Sequence, residues 1–126
     1  MKNVTIVLQN AIRALGLILI VLGFLFWTGH SYSLVPVHMG LGETLVLLLW
    51  ILAILAARAR VKTGLVVAAI LWGLLTVIFG FTMGRFLPGR AHEAIRVLHF
   101  LIGLMAIGFS EMMAARIKRS IGPVAR

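Results

Sequence analysis

The sequence predicts an all-α integral membrane protein: an antiparallel four-helix bundle built from two helical hairpins that repeat one another in parallel. Three observations carry this. Four apolar segments, roughly 9–29, 37–57, 64–84 and 94–115, each approach the ~20 residues that cross a ~30 Å hydrocarbon core as a helix. The segments between them are short, which makes sequential neighbours antiparallel. Glycines and histidines then recur at fixed offsets in the two halves of the chain.

Composition agrees with this fold class. Of the 126 residues 62% are hydrophobic, and the mean hydropathy is +1.12. A soluble globular domain is about 45–50% apolar, so residues 1–126 read as a single transmembrane domain. Backbone amides in lipid must be satisfied within their own segment, which leaves helix as the form of each span. Span one follows Met1-Lys2 and could imitate a signal peptide. It is followed by Trp27-Thr28-Gly29-His30 rather than by a small-x-small cleavage site, so it reads as a span. Residues 30–36 lead to span two, with Pro36 suited to its first turn. Residues 58–63, Arg-Ala-Arg-Val-Lys-Thr, join spans two and three. Residues 85–93 join spans three and four, with Pro88-Gly89 as the turn signal.

The basic residues set the expected orientation. Lys2, Arg13, Arg58, Arg60, Lys62, Arg116, Lys118, Arg119 and Arg126 fall on one side, and Arg85, Arg90 and Arg96 on the other. By the positive-inside rule the protein is a multi-pass protein of the cytoplasmic (inner) membrane with both termini cytoplasmic. The net charge of +9 belongs to these membrane flanks and forms no soluble basic face, so nucleic acid is not an expected partner. The bilayer is.

The repeat is specific at a few positions. Gly16 and Gly23 correspond to Gly73 and Gly80, 57 residues on. His38, Gly42 and Arg58 correspond to His99, Gly103 and Arg119, 61 residues on. Two inside-starting hairpins related in this way would share a pseudo-twofold axis along the membrane normal. A spacing of seven keeps Gly16 and Gly23, and likewise Gly73 and Gly80, on one helix face, where small residues let helices approach. Gly42 and Gly103 each end a His-x-x-x-Gly element, one turn below the histidine on its own face. A side chain there would collide with anything flat that the histidine held; simple helix packing is the other reading.

A histidine within a span is a functional-site hypothesis by default. Span four carries His92, Arg96, His99, Gly103 and Ala106 along one stripe, and span two carries His38, Gly42, Leu45 and Leu49 along another. Counting at about 1.5 Å per residue puts His99 several ångströms deeper than His38. One reading makes His38 and His99 the axial ligands of a single b-type haem, with Gly42 and Gly103 making room and Arg85, Arg90 or Arg96 meeting its propionates. The chain has no cysteine, so no CxxCH element exists and attachment would be non-covalent. A second reading places Zn or Cu near the outer surface, held by some of His30, His38, His92 and His99 with Glu93. A third leaves His30 and His92 as interfacial residues and His38 and His99 as helix-to-helix hydrogen-bond donors.

With these paired histidines and helix glycines on four spans, the whole chain resembles the small b-type membrane cytochromes of bacteria. The two His-x-x-x-Gly elements carry the resemblance. It implies haem b and electron transfer. The chain departs from the transmembrane electron carriers of that kind, which hold one haem near each face, because all four histidines here fall on the outer side. The expectation is electron transfer on that side, from a quinol or a partner subunit to an extracytoplasmic acceptor. A rival expectation is a cofactor-free accessory subunit of a respiratory or photosynthetic assembly, in contact with other membrane subunits or copies of itself. No hydrolytic constellation is present, and aspartate is absent.

The remaining polar residues admit several roles. Glu43, five residues past His38 and on a different face, could be a protonated carboxyl, part of a quinol proton path or a contact for a partner. Arg13 near the inner surface can snorkel, and Gln9, Asn10 and Glu111 lie beside that surface. Trp27 fits an outer aromatic belt; Trp50 and Trp72 read as packing.

Overall fold

The computed structural model describes residues 1–122, so Arg126, counted above among the basic flanks, lies outside the described residues. Four helices follow one another: α1 (Lys2–Trp27), α2 (Val35–Arg58), α3 (Thr63–Thr82) and α4 (His92–Ser120). The described residues contain no strand. Each helix is long and apolar enough to cross a membrane. The helices exceed the expected spans at most ends, because a helix runs past the hydrocarbon until its chain is told to stop. α1 starts seven residues before the predicted span, and α4 runs five beyond it.

The stops are local. At the end of α1, Gly29 takes φ +85°. Its N–H donates to the Phe26 carbonyl at 3.0 Å, and the His30 N–H donates to the Leu25 carbonyl at 2.8 Å. This pair of bonds closes a Schellman motif, for which glycine has no steric cost. The same two bonds end α2 through Arg60 and Val61, but there the left-handed position is filled by Arg60 at φ +56°. Pro36 sits in the first turn of α2, where its missing N–H is harmless. Lys118 and Arg119 close α4 where its carbonyl dipoles end.

Neighbouring helices pack around the ring α1–α2–α3–α4, and α2 also packs diagonally on α4. The half of the bundle nearer the termini is solid. Ile12, Leu49, Leu52, Met113 and Ile117 are fully buried there, with Ala53, Ala56, Ala69 and Ala114 filling the narrow gaps. Gly16 and Gly73 bound this half. A Cβ built on Gly16 would stand 2.6 Å from Cδ1 of Ile107. One built on Gly73 would stand 2.5 Å from Nε1 of Trp50 and 3.1 Å from Cγ1 of Val46. Both glycines therefore do what small residues do at helix crossings, letting backbones close in.

Two fastenings in this half have no simple sequence signal. The Arg13 guanidinium grips Glu111 with two bonds, Nε at 2.6 Å and Nη2 at 2.8 Å. Buried Gln9 donates to the same carboxylate and accepts from Lys118 Nζ at 2.9 Å, so a polar network ties α1 to α4. Snorkelling alone does not describe Arg13. The deep tryptophans also do more than pack. Trp50 Nε1 donates to the Ile70 carbonyl at 3.2 Å, and Trp72 Nε1 donates to the Ile102 carbonyl at 2.9 Å.

Candidate functional site

Away from the termini the bundle opens into a cavity of about 530 Å³ lined by all four helices. That volume falls within the roughly 300–1,000 Å³ of small-molecule and cofactor sites. Its walls are mostly apolar, and His38 and His99 both lie in it. They enter from α2 and α4, the two helices that face each other across the diagonal. Their ring centroids are 6.2 Å apart and their planes are inclined by 51°. The depth offset expected from counting does not keep the two rings apart.

Each imidazole is wedged by an aromatic ring and a glycine. Phe26 meets His38 edge-on at 5.4 Å, and Phe79 stacks on His99 at 6.2 Å with 13° between planes. A Cβ on Gly23 would lie 3.9 Å from Cε1 of His38, and one on Gly80 would lie 3.6 Å from Cε1 of His99. Gly23 and Gly80 thus serve the histidines, while Gly16 and Gly73, their partners in the sequence pattern, serve the helix crossings. In both histidines the Nδ1 atom is buried without a hydrogen-bond partner among the described residues. A buried polar atom in that condition costs about 1–3 kcal/mol.

Gly42 and Gly103 also line the cavity, and a Cβ on either would meet no atom within 4 Å. Any side chain placed there would point into open space. Arg96 lines the cavity at its rim, and its Nη1 pairs with Glu93 at 2.9 Å. Glu93 also accepts from Trp27 Nε1 at 2.9 Å, which joins the end of α1 to the start of α4. Arg85 and Arg90 are exposed on the α3–α4 connection and do not line the cavity.

The other two histidines lie apart from the pair. His30 is exposed, with Nδ1 3.1 Å from the Thr28 hydroxyl. His92 reaches the cavity rim, and its Nδ1 lies 3.1 Å from the Phe86 carbonyl. Among the described residues no three His, Cys, Asp or Glu side chains converge as they would around a metal ion held by such ligands alone. Glu43 is exposed and lines the cavity too.

Sequence reasoning singled out both histidines and the two glycines below them. It missed Phe26 and Phe79, which no spacing marks, and it read Gly23 and Gly80 as packing residues although their offset of 57 was visible. Comparison with known protein families, with curated proteins and with solved structures finds no match.

Proposed function

We propose that this chain is an integral membrane protein that holds one non-covalent haem b between His38 and His99 and transfers electrons on the outer side of the cytoplasmic membrane, in the manner of a small b-type cytochrome. The observation that carries the reading is the pair of half-buried imidazoles, side by side in an apolar cavity, each with a buried nitrogen that no described residue satisfies.

The residues fit the group. His38 and His99, with ring centroids 6.2 Å apart, would hold the iron through imidazole nitrogens. Gly42 and Gly103 leave the adjoining walls free of side chains. When bound, haem supplies one-electron exchange at its iron, tuned by axial ligands and burial. The protein's part is to present two nitrogen lone pairs, exclude water with apolar walls, and offer Arg96 at the rim as a cation for a carboxylate. Arg85 and Arg90 stand on the same side of the bundle. The electron donor in this reading is a lipid-soluble quinol or a partner subunit, and the acceptor is extracytoplasmic.

Matching glycine contacts in the two hairpins support a single site shared between halves. Gly23 backs His38 from α1 as Gly80 backs His99 from α3. Gly16 meets Ile107 of α4, and Gly73 meets Val46 of α2; Val46 and Ile107 are themselves 61 residues apart. The basic residues favour cytoplasmic termini. The chain has no native cysteine to interfere, so single cysteines placed within 31–35 and 86–91 should both be labelled from outside. Labelling from the cytoplasm alone would reverse the orientation.

An absorption spectrum of protein expressed with ample haem tests the main claim. A low-spin bis-imidazole haem gives sharp α and β bands on reduction. His38→Ala or His99→Ala should abolish or convert the spectrum, and His30→Ala and His92→Ala should leave it in place. A Soret band that survives both of the first two substitutions overturns the assignment. If no Soret band forms at all, the cofactor-free accessory subunit is the better reading.

A further inference from the structure

The cavity has two flanks, one between α1 and α4 and one between α2 and α3, and their lining differs. On the α1–α4 flank, Phe24 and Phe100 close ranks at 5.6 Å, with Leu104 one turn below Phe100. The positions that match Phe24, Phe100 and Leu104 at offsets of 57 and 61 are Phe81, Met39 and Glu43, and all six line the cavity. The α2–α3 contact is fixed by Gly73 against Val46 and Trp50. Glu43 lies three residues before Val46 and seven before Trp50, so it shares their face toward α3. One flank is therefore shut by two aromatic rings above a leucine. The other carries one aromatic ring, a flexible thioether and a carboxyl group.

Among the described residues Glu43 has no ion-pair partner; their ion pairs are Arg13–Glu111 and Arg96–Glu93. It is exposed on a helix apolar enough to span a membrane, about 7.5 Å along the axis from His38. A carboxyl in such a place is costly and marks a ligand path or contact. What reaches it through hydrocarbon must itself be apolar, and what satisfies it must donate a hydrogen bond. Phe81 and Met39 would offer a flat ring one aromatic and one thioether contact, since thioether sulfur packs well on aromatic edges.

We infer that a lipid-soluble hydroquinone enters the cavity between α2 and α3 and donates a hydrogen bond from one hydroxyl to Glu43. This rests on the reading of the cavity as a redox site, and it selects one of the two electron sources named there. Glu43 is a positioning residue in this account, and Leu104 shows what the same position looks like on the closed flank.

Proteoliposomes and a photoreactive azido-hydroquinone with a short alkyl tail test the entrance. Labelling should fall on peptides containing 39–43 and 77–81 and should be competed by duroquinol. Glu43→Leu should reduce that labelling roughly tenfold, equivalent to about 1.4 kcal/mol of binding, and leave the Soret band unchanged. Leu101→Ala, at an exposed position on α4 that does not line the cavity, should alter neither. Labelling shared equally between the flanks, labelling confined to 20–24 and 100–104, no competed labelling, or labelling unchanged in Glu43→Leu overturns the inference. So does loss of the Soret band in Glu43→Leu, which would make Glu43 part of the fold or of the cofactor site. Expected labelling in a protein that binds no haem would retain the entrance and sink the cofactor assignment.

Discussion

The two halves of the bundle use the same residue types to opposite ends. Toward the termini, alanines and Gly16 and Gly73 draw the helices together until Ile12, Leu49 and Met113 lose all exposure. Away from the termini, Gly42 and Gly103 face open space, and Gly23 and Gly80 leave room for imidazole rings. A glycine in a helix is thus no statement about packing by itself. In the first half its missing side chain is replaced by a neighbouring helix, and in the second by a cavity.

Substitutions that fill these glycines should separate the halves. Gly103→Leu or Gly42→Leu should cut haem per protein roughly tenfold or more, about 1.4 kcal/mol of binding per factor of ten, because the added atoms enter the cavity. Resistance to unfolding by SDS should not fall, since a Cβ there meets nothing within 4 Å. Gly73→Leu should do the reverse. Trp50 and Val46 must give way, at about 1–3 kcal/mol of stability for an overpacked site, while the ratio of Soret to protein absorbance in the folded fraction is kept. If both substitutions damage haem binding and stability alike, the halves are not independent. Smaller effects sharpen the picture of the solid half. Glu111→Gln should cost under about 1 kcal/mol, because the Arg13 side chain is 55% exposed and exposed pairs are weak. Trp72→Phe removes one interhelical hydrogen bond, worth about 0.6 kcal/mol in a membrane bundle. SDS titration followed by circular dichroism reads both.

What the sequence could reveal followed from how each feature is encoded. The four helices were legible because hydropathy acts over a whole span, and their order and short connections leave one sensible bundle. His38 and His99 stood out because histidine is rare in such segments and because each precedes a glycine by one turn. Helix ends were less legible: the stop at Gly29 is a glycine signal, whereas the equivalent stop at Arg60 carries none. Phe26 and Phe79 could not be found, since a phenylalanine in an apolar helix looks the same whether it faces lipid or imidazole. The Gln9–Glu111–Arg13–Lys118 network joins residues about a hundred positions apart, and no local pattern links them. Arg96 was read as a residue in want of a carboxylate; Glu93, one turn before it, supplies one.

That network bears on how the chain recognises itself. Hairpins that share residues at fixed offsets could pair with each other, or with hairpins of another molecule, and a surface that matched both would allow exchange between chains. At the offsets of 57 and 61, Arg13 and Glu111 correspond to Ile70 and Trp50. The α2–α3 crossing is fastened by the Trp50 indole on the Ile70 carbonyl, and the α1–α4 crossing by an ion pair. The first crossing is already enforced by the short connection between its helices. The second has no connection, and it alone carries opposite charges that a swapped hairpin would leave facing Ile70 or Trp50. A penalty against the wrong partner is as effective a source of specificity as a gain with the right one. The ion pair, weak as a source of stability, is a contact that a swapped hairpin would lose and that the first helix keeps by closing on the last helix of its own chain.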